Sequence, residues 1–98
     1  MVAQRPRDYE LVMILSPEVN EDEARATVDR IDGIISAAGG EVGEHEGWGV
    51  RRLAYPIGEF TEGNYFLTRF GTDASAIAEL DRGLTAAEDV VRHLIYRP

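Results

Sequence analysis

Two adjacent arginines, Arg51 and Arg52, lie in the run Gly47-Trp48-Gly49-Val50-Arg51-Arg52-Leu53-Ala54-Tyr55-Pro56-Ile57. Trp48 and Tyr55 share that run, held between flexible glycines and a stiff Pro56. A guanidinium fork matches phosphate oxygens, and an aromatic face stacks on a nucleobase. Two further groups have the same character: Arg5, Arg7 and Tyr9 near the start, and Arg92, Tyr96 and Arg97 near the end. These residue types support binding, not bond-breaking.

The remaining reactive side chains do not assemble into a catalytic set. The two histidines, His45 and His93, sit far apart, with no paired-His or HExxH spacing. Glu44-His45-Glu46 is the nearest approach to a metal-ligating group, and hydrated surface charge accounts for it. The serines and threonines fall in caps and loops, none in a GxSxG elbow. The carboxylates read as solvated, and an acid/base pair needs burial to separate its pKa values. Gly39-Gly40 follows a helix instead of preceding one, so it is not a phosphate loop. The expectation is no catalytic residue, no metal, no cofactor and no small-molecule substrate.

Composition bounds the partners. The 98 residues carry a formal charge of −8, with 44% hydrophobic and 29% charged residues, the profile of one ordinary globular domain. Every basic residue but the histidines is Arg, ten in all, with no Lys. The net charge argues against non-specific binding to nucleic acid or an anionic membrane. Cysteine is absent, which removes disulfide and thiolate chemistry and fits a reducing cytoplasm. No apolar run approaches the ~20 residues of a membrane span, and the N-terminus lacks a signal-peptide apolar segment.

The positioning elements follow from periodicity and punctuation. Residues 1–6 read as a disordered lead and 7–98 as a single domain. Asp8–Leu15 is a strand, broken by Ser16-Pro17. Asn20 caps a helix, with Glu23 at the capping-box position. Ala24, Val28, Ile31, Ile35 and Ala38 form its apolar stripe, and Gly39-Gly40 stops it. Glu41–Ile57 is a long, interrupted strand. The glycines about Trp48 suggest a bulge, and Pro56 suggests an edge position. Gly58–Gly63 is expected to be a loop and Asn64–Gly71 the next strand, together a hairpin. Asp73 is expected to cap a second helix carrying Ile77, Leu80 and Leu84. Thr85–Asp89 turns the chain into a last strand, Val90–Arg97. The order β-α-β-β-α-β predicts an α+β, ferredoxin-like fold, a four-stranded antiparallel sheet with two helices on one face. Right-handed crossovers put the first and third strands at its centre. One sheet face then stays uncovered. Strand alternation sends Arg51, Leu53 and Tyr55 to one face and Val50, Arg52 and Ala54 to the other. Acidic helices and a locally basic sheet edge would segregate the charge.

Several of these residues resemble one family, the bacterial small-ribosomal-subunit protein six. The matching segments are Arg7-Asp8-Tyr9-Glu10, Ser16-Pro17, Gly49 through Ile57, and Gly63-Asn64-Tyr65-Phe66, with Asp89-Val90-Val91-Arg92 as the last strand. The resemblance runs from Arg7 to Arg97. It implies a ferredoxin-like fold and a structural role in the ribosome of the cytoplasm. It also implies binding to the central domain of 16S rRNA as a heterodimer with small-subunit protein eighteen. Members are often acidic, so the charge of this chain is no departure. Two features differ: six residues precede Arg7, and the chain ends soon after the last strand without an acidic or flexible tail. Carried onto this chain, the motif marks Arg7, Tyr9, Arg51, Arg52, Tyr55 and Arg92 as contacts to RNA or the partner protein. The competing expectation is a dimeric ferredoxin-like ligand-binding module or small monooxygenase-like enzyme. Such a protein would enclose a pocket.

Overall fold

The computed structural model describes residues 7–98, so the lead expected at 1–6 lies outside the described residues, as does Arg5; of Arg7 the backbone alone is described. The elements are β1 (Arg7–Leu15), α1 (Glu21–Ala37), β2 (Glu41–Ile57), β3 (Phe60–Thr72), a 3-10 turn (Ala74–Ala76), α2 (Ile77–Ala86) and β4 (Val90–Tyr96). All pairings are antiparallel, in the order β2-β3-β1-β4. This is the ferredoxin-like arrangement, with the first and third strands central as the crossover rule requires.

Alternation along β1 sorts the two sheet faces. Tyr9, Leu11, Met13 and Leu15 point to the helices and are buried. They meet Ile31 and Ile35 of α1 and Leu80 and Leu84 of α2 in one core. Burial of these side chains is the main driving force for the fold. Val28 packs against this core partly buried, as expected, and Thr27 beside it is buried too. Its hydroxyl donates to the Glu23 carbonyl at 3.1 Å and lies 3.2 Å from Asp89 Oδ2. Two partners satisfy the group, so its burial costs little.

Helix α1 starts as its sequence dictates. The Glu23 amide donates to Asn20 Oδ1 at 2.8 Å, and the Asn20 amide donates to Glu23 Oε1 at 3.0 Å. Asn20→Ala leaves one of these amides without its partner and is expected to cost about 1 kcal/mol, read as a lower midpoint in urea unfolding. Helix α2 begins differently from the expectation. Asp73 precedes the 3-10 turn and makes no side-chain capping bond, and the α-helix starts at Ile77 without a side-chain cap.

The loop expected at Gly58–Gly63 is instead a two-residue turn. Ile57 pairs with Phe60, and Gly58-Glu59 alone connects them. Gly58 has φ of 59° and no non-glycine residue among the described residues has a positive φ, so only the first central residue is left-handed. That is the type II′ pattern, whose twist matches the strands it joins. Pairing therefore resumes at Phe60 and again at Glu62, across an irregularity in β2 between Arg52 and Ile57. Because β1 ends opposite Asn64, residues 60–63 of β3 and the facing end of β2 run past it as an arm. Each residue adds about 3.3 Å to that arm.

Candidate functional site

The face away from the helices carries the candidate residues. On β1 it presents Glu10, Val12 and Ile14, opposite Arg69, Leu67 and Tyr65 of β3 and Tyr96, Leu94 and Arg92 of β4. Of the five exposed large hydrophobics among the described residues, Trp48, Tyr55, Leu94 and Tyr96 lie on this face. Exposed apolar groups gathered on one face mark an interaction surface.

The arm is seated on that face by close packing. A Cβ at Gly63 would lie 2.3 Å from Ile14 Cγ2 and 3.4 Å from Leu53 Cδ2. Glycine there lets both side chains into the same space, and Leu53 is buried. Leu53 thus anchors the arm, with Arg51 and Tyr55 two residues to either side of it on the same strand face.

Two arginine–aromatic pairs result. The Arg51 guanidinium lies 5.7 Å from the Trp48 ring centroid, and its Nε donates to the Trp48 carbonyl at 3.3 Å. The Arg92 guanidinium lies 5.6 Å from the Tyr55 ring centroid, and its Nη1 donates to the Tyr55 hydroxyl at 2.5 Å. Each contact fixes the plane of a guanidinium while leaving in-plane N–H donors free. No ion pair among the described residues engages Arg51, Arg52 or Arg92.

Trp48 has even parity and Arg51 odd, yet they meet. The register of β2 against β3 shifts between Gly47 and Gly49. One extra residue there brings Arg51 onto the open face that Trp48 shares with Glu44 and Glu46, and Trp48 stacks on Tyr65 at 6.3 Å and 18°. The bulge expected from the glycines is present, and its consequence is a Trp48–Tyr65–Arg51 cluster. Alternation alone does not show that cluster.

The other marked residues are placed elsewhere. Arg52 pairs in register with Glu62 and points to the opposite side of the arm. Tyr9 is 7% exposed and stacks on Phe70 at 5.7 Å within the helix-side core. Its ring supports the fold and offers almost no surface to a ligand, contrary to the expectation that marked it as a contact. The backbone of Arg7 pairs with Thr72, at the end of β1 opposite the arm.

Charge is segregated along the open face, not simply between helices and sheet. At the end far from the arm, Arg69 is held by three carboxylates: Glu10 at 3.0 Å, Glu44 at 3.2 Å and Glu46 at 2.7 Å. The hydrogen bonds to Glu46 and Glu10 raise the Arg69 pKa. Three acids on one base leave this end negative. The Tyr96 phenol is likewise raised above its ordinary value, first by its hydrogen bond to Glu10, then by desolvation and the Glu10 charge, against a smaller opposing effect of Arg69. Glu10→Leu is expected to return Tyr96 towards an ordinary tyrosine titration, which ultraviolet difference spectra against pH would read. An unchanged curve would deny the contact.

The Glu44-His45-Glu46 triplet cannot converge on a metal. Glu44 and Glu46 reach Arg69 on the open face, whereas His45 pairs with Asp32 of α1 at 3.0 Å on the helix side. His93 similarly lies 2.6 Å from Asp81 of α2. Two concavities are open clefts, one of about 560 Å³ beside Gly39, Glu41 and Pro98 and one of about 480 Å³ between α1 and the β2–β3 pair. Neither is the enclosed apolar pocket that a ligand-binding module or monooxygenase-like enzyme requires.

Comparison with known proteins agrees with this architecture. The family model described as ribosomal protein S6 matches residues 8–97. Small ribosomal subunit protein bS6 of Desulforamulus reducens is 41% identical over 91 residues, covering 93% of this chain and 96% of that protein. The bS6 of Carboxydothermus hydrogenoformans is also 41% identical, over 93% of this chain and 95% of its own length. Among solved structures, 30S ribosomal protein S6 from Thermotoga maritima superposes with a TM-score of 0.89 at 30% identity, over 96% of this chain and 89% of that one. An uncharacterised Thermotoga maritima protein, at a TM-score of 0.57 and 21% identity, shares the fold alone. The match to the family model across nearly every described residue, together with relatives of this identity and coverage, shows that the chain belongs to the ribosomal protein S6 family.

Proposed function

We propose that this protein is a non-catalytic structural component of the small ribosomal subunit in the cytoplasm. In this reading residues 7–98 act as one domain. The domain binds the central domain of 16S rRNA together with small-subunit protein eighteen. Family membership supports the ribosomal setting. The observation that carries the binding mode is the pair of guanidinium groups, Arg51 and Arg92, each fixed against an aromatic ring on the uncovered face and free of carboxylates. Such groups are preorganised for phosphate, and the acids that would repel it are drawn to Arg69 at the other end. Arg51, Tyr55 and Arg92 are the leading contacts. Arg52, on the opposite side of the arm across from Glu62, is at most a peripheral contact. Arg7 remains a proposed contact by family motif, and Tyr9 acts through the core.

The test is reconstitution. The folded protein, protein eighteen and a central-domain RNA fragment should form a ternary complex whose RNA footprint requires both proteins. A well-folded sample that adds nothing to the footprint of protein eighteen would overturn the proposal.

A further inference from the structure

We propose that Trp48 is a nucleotide-stacking residue, and that the open face of the arm takes an unpaired, splayed-out RNA base there instead of a duplex backbone alone. The inference rests on the RNA-binding reading above and assigns a residue outside the arginine–tyrosine motif that marks the family.

Three observations on one spot carry it. First, the register shift between Gly47 and Gly49 brings Arg51 onto the face that already carries Trp48, so that guanidinium and indole meet. Without it Arg51 would point to the helix side. Second, the indole is braced but not buried. Tyr65 stacks on it, and its Nε1–H lies 3.4 Å from Glu46 Oε1, while 37% of the residue stays exposed. Third, the cation over the ring is Arg51, an exposed side chain whose one hydrogen bond among the described residues is a long contact to a backbone carbonyl. Its guanidinium occupies the ring area that a base would take. When the base enters, the fork can rotate onto the phosphate of the same nucleotide. An aromatic platform beside a movable arginine is the arrangement that binds single-stranded nucleotides, because every base has a π-face and every nucleotide a phosphate. A duplex keeps its bases stacked inside and presents only phosphates, which would leave the exposed indole unused. Glu46 lies close by, but its other oxygen is 2.7 Å from Arg69, which offsets its charge.

Trp48 is the sole tryptophan of the chain, so intrinsic fluorescence reports on this spot. The full protein would be titrated with single-stranded hexa-adenylate and with a blunt RNA duplex at equal phosphate concentration. The single strand should quench the emission and the duplex should quench it far less. In the ternary complex, Trp48→Leu should weaken RNA binding about 5- to 150-fold, the loss expected for one base–aromatic stack. Trp48→Phe keeps a ring and should stay within a few-fold of the parent. Circular dichroism of both variants establishes that they are folded. Equal quenching by duplex, or a Trp48→Leu variant that binds RNA with parental affinity, overturns the inference while the rRNA-binding reading stands. Quenching by protein eighteen alone, with no further change on adding RNA, assigns Trp48 to the protein partner and also overturns it. Failure of the parent chain to enter the ternary complex overturns both readings.

Discussion

Arg51→Glu should weaken RNA binding in the reconstituted complex about 10- to 100-fold, and Arg92→Glu should do the same, whereas Arg52→Glu should cost no more than a few-fold. A charge-assisted hydrogen bond is worth roughly 1.5–3 kcal/mol, and each ~1.4 kcal/mol is a factor of ten in affinity. Arg51 and Arg92 are set on the uncovered face by Trp48 and Tyr55. Arg52 lies across from Glu62 on the other side of the arm. All three are exposed, so the substitutions should leave the fold intact. Affinity should be measured across a salt series. Loss of one phosphate contact lowers the slope of log affinity against log salt by about one. Equal losses for Arg51→Glu and Arg52→Glu would contradict the assignment of one face as the RNA surface. A large loss at Arg52 with none at Arg51 would reverse it.

Leu11→Ala is expected to have the largest effect on stability. Leu11 is fully buried at the centre of β1, between both helices and the two neighbouring strands. Truncating such a leucine removes its transfer free energy and leaves a cavity, a loss of about 2–5 kcal/mol. Domains of this size have about 5–15 kcal/mol in total. The thermal midpoint should fall on the order of 10–30 °C. Leu94 is the control. It is 60% exposed on the open face, and Leu94→Ala should change stability by no more than about 0.5 kcal/mol. Differential scanning calorimetry of the two variants separates them. Similar midpoints would mean that the helix-side core is not where the structure puts it.

Much of the fold is legible in the order of residues because local signals and tertiary packing agree. Asn20 and Glu23 specify the start of α1, and both reciprocal hydrogen bonds form. Pro56 points to an edge strand, and β2 is an edge strand. Disagreement arises where a long-range contact outweighs a local preference. The Gly58–Gly63 stretch is rich in turn formers, yet pairing continues from Phe60 because Gly63 must be a strand residue to admit Ile14 and Leu53. Thr27, outside the apolar stripe, is buried because Asp89, 62 residues away, accepts a hydrogen bond from it. Asp73 resembles a cap, but a 3-10 turn intervenes before α2.

The candidate site divides along the same line. By itself the sequence determined the element order, the parity of Arg51, Leu53 and Tyr55, the bulge at the glycines and the resemblance to one ribosomal family. Each follows from spacing within a segment, which the chain carries whether or not it is folded. Only the tertiary structure decided which arginine meets which ring. Arg92 is 37 residues from Tyr55, and Arg69 is 59 from Glu10. Trp48 shares a face with Arg51 only because the β2–β3 register slips by one residue. It likewise took the fold to withdraw Tyr9 into the core. Periodicity says that a side chain alternates, but which face is covered depends on where two distant helices pack.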